Sequence, residues 1–160
     1  MKKTTGLRLG LVAAWLERMK EAKDTRQATV HIGYDGRVHK TYNGYKARER
    51  FTNELRVLRY LEKQNCPFVP KVLEADEDKL HLVTTNCGAI VKTISKEKLR
   101  KLFAELEQYG VRHEDPFQRN VTYSPQLGRF CLIDFEFATI LSSGEGLTVA
   151  DVKRDSHELK

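Results

Sequence analysis

The sequence predicts an α+β fold in which a small antiparallel sheet carries one long helix, and a second layer adds one helix and a hairpin. Three observations predict it. Thr29-Val-His-Ile32 and Arg37-Val-His-Lys-Thr-Tyr42 flank Gly33-Tyr-Asp-Gly36, and Asp-Gly between alternating runs signals a tight hairpin turn. Phe51, Leu55, Leu58 and Leu61 recur at helical spacing within residues 45–64, which hold no proline. Two further apolar runs, 121–123 and 129–133, flank the turn Ser124-Pro-Gln-Leu-Gly128.

Composition sets the class. A chain of 160 residues, 40% hydrophobic and 31% charged, suits one globular domain with its own core. Its net charge of +6 favours an anionic partner without specifying which. Cys66, Cys87 and Cys131 are odd in number and contain no CxxC spacing, so neither a disulfide framework nor a zinc site is expected, and the reading is cytoplasmic. No segment is long and apolar enough to span a membrane, and no membrane partner is expected.

The elements follow in order. Leu9, Val12, Leu16 and Met19 fall at helical spacing, so residues 7–22 read as an amphipathic helix; Arg8 and Glu17-Arg18 argue against a signal peptide. In the first hairpin, strand alternation puts Val38, Lys40 and Tyr42 on one face. A lysine there is ordinarily an edge residue whose amine reaches solvent. The helix at 45–64 gives Lys40 a second reading, because Glu54 lies angularly between Leu58 and Leu61. A carboxylate on that packing face needs a cation, or else sits at the stripe's edge and reaches water. Lys40 is the nearest candidate, with Glu49 the weaker alternative as the paired acid.

Pro67 and Pro70 then break the helix. Strands are expected at about 71–75 and 79–85, joined by Asp76-Glu-Asp78. Asn86-Cys-Gly88 reads either as a plain linker or as backbone able to bond a flat base. A helix is expected over 93–109, capped by Thr93 or Ser95, buried through Leu99, Leu102, Phe103 and Leu106, and stopped by Gly110. The second hairpin then brings Asn120 and Asp134 to one end. In the tail, Leu147, Val149, Ala150, Val152 and Leu159 suit a short packing helix, with Asp151 and Asp155 as solvated charges.

Around that hairpin end the chemistry concentrates. His113-Glu-Asp115, Asn120 and Leu132-Ile-Asp-Phe-Glu136 gather groups suited to a hydroxyl or a divalent cation. Asp115 with Asn120 five residues later resembles the catalytic loop of the protein-kinase-like superfamily, and Asp134 in its setting resembles that family's metal-binding motif. Val38-His-Lys40 is similar to the end of the family's lysine-bearing strand. Phe51-Thr-Asn-Glu54 resembles the helix that carries its ion-pair glutamate. The four occur in family order over residues 28–141.

The resemblance implies a single two-lobed domain over 1–160: residues 1–86 an N-lobe, 87–141 a strongly reduced C-lobe, and 142–160 a tail. It implies that Asp115 orients the accepting hydroxyl and takes its proton. Asn120 and Asp134 would hold Mg²⁺ or Mn²⁺ on the ATP phosphates. Lys40, held by Glu54, would contact the phosphates; Val38 would pack on adenine, with Thr85 and Cys87 in the backbone that reads its edge. His113 would brace the loop. The acceptor would be a protein Ser/Thr or a small-molecule hydroxyl.

The departures are specific. Lys20-Glu-Ala-Lys-Asp-Thr-Arg26 stands where the family has its glycine-rich loop. Glu114 replaces the common arginine, and Glu136 replaces a glycine, as in choline-kinase-like small-molecule kinases. Twenty-four residues follow Glu136, too few for the peptide-docking helices, so a homodimer or partner is expected to cover that face. These departures keep a second reading open, a pseudokinase acting as a nucleotide-responsive binding module. An RNA-associated module is the third; dispersed Lys and Arg without interleaved aromatics argue against nucleic acid.

Overall fold

A computed structural model describes residues 28–152 of the chain; the helix expected at 7–22 and Asp155 lie outside the described residues. The hairpin forms as β1 (Ala28–Ile32) and β2 (Val38–Tyr42), antiparallel with Val30 opposite Lys40. Gly36, at φ 77°, takes the left-handed turn position that favours glycine.

Helix α1 (Ala47–Lys63) begins two residues later than the spacing predicts, because Gly44 and Lys46 both adopt left-handed backbone and turn the chain before it. Its buried face comprises Arg50, Phe51, Asn53, Glu54, Leu55, Val57, Leu58 and Leu61. The helix closes on Asn65 at φ 56°, with the Cys66 N–H donating to the Leu61 carbonyl and the Asn65 N–H to that of Glu62. This left-handed closure satisfies carbonyls that the helix end leaves open.

Strands β3 (Val72–Asp76) and β4 (His81–Thr84) complete a four-stranded antiparallel sheet of order β1-β2-β4-β3. Strand β4 is shorter than expected, since Leu80 at φ 50° takes the chain out of extended geometry. The chain then leaves this sheet. β5 (Ala89–Ile90) joins β7 (Val121–Ser124) and β8 (Arg129–Leu132) in a second antiparallel sheet. Between them, α2 (Lys96–Gln108) is capped by Ser95, whose Oγ accepts the Lys98 N–H, and Gly110 follows its end at φ 85°.

A third pairing escaped the sequence reading. β6 (Val111–His113) pairs antiparallel with β9 (Ala138–Ile140), bracketing the loop that carries Asp115 and the turn that carries Asp134. The fold is α+β with antiparallel sheets. One continuous core joins α1 (Phe51, Leu58, Leu61) to Leu82, Leu106, Leu132 and Phe135. Among the described residues no helix is long and apolar enough to cross a membrane. In the tail, Asp151 Oδ2 accepts from the Thr148 N–H and hydroxyl, while the Asp151 N–H donates to Thr148 Oγ1. Asp151 is therefore a helix-start cap rather than the solvated charge expected of it.

Candidate active site

Strand β2 turns Lys40 inward beneath α1, and there its ammonium meets three carboxylates. Lys40 Nζ donates to Glu54 Oε2 and to Asp134 Oδ1, each at 2.7 Å, and lies 3.5 Å from Glu136 Oε2. The expected Lys40–Glu54 pair is present, whereas Glu49 is exposed. Burial alone would pull the Lys40 amine down, but Asp134 and then Glu54 outweigh it and hold the pKa well above the usual value.

Glu54 is a junction. Its Oε2 also accepts the Tyr42 hydroxyl, and its Oε1 accepts the Phe135 N–H at 3.1 Å. One side chain on α1 thereby fixes the strand-borne lysine and the backbone next to Asp134. Asp134 sits at φ 64°, a left-handed position costing a non-glycine residue on the order of 1–3 kcal/mol. The Phe135–Glu54 bond and the Lys40 ion pair hold it there.

Behind this junction lies a layer that the sequence reading missed. Arg50 is fully buried; its guanidinium donates to the Tyr45 and Asn43 carbonyls and to Glu136 Oε2, the last at 3.4 Å. Asn53 Nδ2 donates to the Glu136 and Ala138 carbonyls, both at 3.0 Å. Desolvation raises the Glu136 carboxyl from its ordinary 4.5 to about 7, against the opposing pull of Lys40. The available signal was the helical stripe itself: Arg50 and Asn53 lie four and one residues before Glu54, on the same packing face.

The loop between β6 and β7 builds the other half. Asn120 Nδ2 donates to the Asp115 carbonyl and to Asp115 Oδ2, both at 2.8 Å, and Arg119 donates to Asp115 Oδ1. The Ile133 N–H donates to the Asn120 carbonyl at 3.0 Å, which ties this loop to the residue before Asp134. His113 braces both strands. Its Nδ1 accepts the Asp115 N–H, so the proton lies on Nε2, which donates to the Ile133 carbonyl at 3.1 Å. Burial lowers the His113 pKa and keeps the ring neutral.

The remaining expected residues lie at one end of the two central strands of the first sheet and in the chain that leaves it. Val38 shares the Lys40 face and pairs with Thr84. The Thr85 N–H donates to the Lys71 carbonyl, and its Oγ1 accepts the Lys71 N–H. The Cys87 side chain is buried, and its carbonyl accepts from Thr122 Oγ1 at 2.7 Å.

The donor set fits a hard divalent ion in two ways. Asn120 Oδ1 is buried with no hydrogen-bond partner, an expensive state that a cation would relieve. Carboxylate oxygens of Glu54, Asp134 and Glu136 also lie within 4.8 Å of one another, close enough to hold a metal ion. Lys40 and Arg50 supply the positive charge that these carboxylates face. No protein-family model matches this chain, and none of the curated proteins matches it either.

Proposed function

We propose that the protein is an ATP-dependent phosphotransferase of protein-kinase-like, two-lobed architecture with a reduced second lobe. The observation that carries this reading is the Lys40 ammonium held between Glu54 and Asp134, with the Asp115–Asn120 pair tied to the same hairpin end. Phosphoryl transfer asks a protein chiefly to position groups and to neutralise phosphate charge. Lys40 supplies fixed positive charge for the phosphates. Asp134 and Asn120 Oδ1 are the groups that would hold Mg²⁺ or Mn²⁺, and such an ion neutralises charge on the nucleotide. Asp115 orients the hydroxyl acceptor and accepts its proton, while Val38 and the chain after β4 line the side where adenine would lie.

The test is γ-phosphate transfer or ATP hydrolysis by wild type beside Asp115→Asn. The reading expects Asp115→Asn to bind nucleotide as wild type does and to lose turnover by about 10²–10⁴-fold, the usual contribution of a positioned proton acceptor. Turnover unchanged by this substitution overturns the assignment.

A second reading, a pseudokinase acting through a partner, draws on one observation. Both Asp115 oxygens are already engaged, by Asn120 and Arg119, on the atoms that an acceptor hydroxyl would approach. Nucleotide binding without transfer to any acceptor, and without hydrolysis, supports that reading. Exposed Ile90, Phe117, Tyr123 and Leu127 suit the proposed homodimer or partner contact, which sedimentation at micromolar concentration tests.

A further inference from the structure

The outer face of the first sheet, opposite Lys40, carries a feature unrelated to the proposed chemistry. Three of the chain's five histidines stack there across adjacent strands. The His31 and His39 rings lie 4.9 Å apart, and the His39 and His81 rings 5.3 Å apart. His39 Nδ1 and His81 Nε2 approach to 3.2 Å. We propose that His39 and His81 form a binding site for a borderline transition-metal ion such as Zn²⁺, with water completing the coordination.

Three observations lead there. Two nitrogens bound to one tetrahedral zinc at about 2.0–2.1 Å stand roughly 3.3 Å apart, and the His39–His81 pair already has nearly that separation. In the metal-free chain the two nitrogens share one hydrogen bond, and an ion binding between them replaces that proton as both rings turn toward it. The other nitrogen of His39, Nε2, lies 4.0 Å from Asp35 Oδ1, the outer carboxylate that commonly orients a metal-bound imidazole. Asp35 is itself fixed by the turn, accepting the Arg37 N–H at 3.0 Å. A side chain at Gly33 would come within 2.8 Å of Asp35 Oδ1 and 3.0 Å of His39 Nε2, so this arrangement needs the missing Cβ.

Strand β3 places Asp76 directly across from His81 and Glu74 across from Val83, on the histidine face, where Arg37 pairs with Asp35 Oδ2 at 3.5 Å and with Glu74 Oε1 at 3.4 Å. Imidazole nitrogen selects Zn²⁺, Cu²⁺ or Ni²⁺ over Mg²⁺, so this site and the oxygen-lined site around Asp134 are distinguishable by ion.

The experiment is calorimetric titration of the full chain with Zn²⁺ in the presence of millimolar Mg²⁺, on wild type, His39→Ala, His81→Ala and Asp134→Asn. The proposal expects saturable Zn²⁺ binding in wild type and in Asp134→Asn, a control that weakens the carboxylate cluster instead of uncovering it, and at least tenfold weaker binding in each histidine variant. Thermal unfolding confirms that each variant is folded, and all three positions are tested independently of turnover. Absence of Zn²⁺ binding in folded wild type overturns the proposal. So does binding that survives both histidine substitutions, because the ion then sits elsewhere.

Discussion

Lys40 Nζ lies 2.7 Å from Asp134 Oδ1, although 94 positions of sequence separate the two residues. That contact closes the first sheet onto the turn after β8 and places a cation among three carboxylates. Removing the cation leaves Glu54 and Asp134 uncompensated in a mostly buried setting. Lys40→Met is therefore expected to cost about 3–5 kcal/mol in urea unfolding, whereas Lys71→Met, on an exposed residue, costs less than about 0.5 kcal/mol. Equal, small losses in the two variants would contradict the network.

Arg50 makes a companion case. It is fully buried and reaches Glu136 Oε2 and two backbone carbonyls, so Arg50→Met strands several acceptors at once. The expected loss is at least about 3 kcal/mol, read by the same unfolding measurement. A variant as stable as wild type would show that water replaces the guanidinium at little cost.

Glu136 gives the pH dependence. Its carboxyl is raised to about 7 when folded and ionises near its ordinary 4.5 when unfolded. Between those values the unfolded chain releases a proton that the folded chain keeps, so stability is full below pH 4.5 and is lost as the pH rises to about 7. His113 works in the opposite direction, since its lowered pKa removes stability as the pH falls below 6.5. Glu136→Gln isolates the first effect. The stability of the variant relative to wild type should rise by on the order of 3 kcal/mol between pH 4.5 and 7.5, then level off. A difference that does not change with pH would place the Glu136 carboxyl in water.

Gly88 tests the crossing from one sheet to the other. It adopts φ 91°, and a Cβ there would stand 1.9 Å from the Tyr123 carbonyl oxygen. Gly88→Ala must move backbone rather than a flexible side chain, so a loss above about 2 kcal/mol is expected in thermal or urea unfolding. Wild-type stability would mean that β5 and β7 separate without penalty.

Much of this was legible in the chain. Asp-Gly fixed the first hairpin, and Phe51, Leu55, Leu58 and Leu61 fixed the long helix, because both signals are local and periodic. Lys40 and Glu54 were paired because a carboxylate on a packing face demands a cation, whereas Asp134 was singled out by the family resemblance and its contact with Lys40 was not foreseen. The strand at Ala138–Ile140 was hidden, since it is three residues long and its ladder partner, Val111–His113, lies 25 or more positions away. Arg50 and Asn53 were hidden for a different reason: their type suggests solvent, and only the contacts with Glu136 and Ala138 show otherwise. The histidine stack depends on register between three strands, which turn chemistry alone does not set.

The proposed phosphotransferase activity requires Asp134 and its neighbours to bind a nucleotide through a divalent ion. Thermal unfolding of wild type and Asp134→Asn, each with and without ATP plus Mg²⁺, is the decisive comparison. With ligand at about 100 times its dissociation constant, wild type should gain about 2.7 kcal/mol, and Asp134→Asn should gain nothing measurable. No stabilisation of wild type at millimolar nucleotide, or equal stabilisation of the two proteins, would contradict the claim.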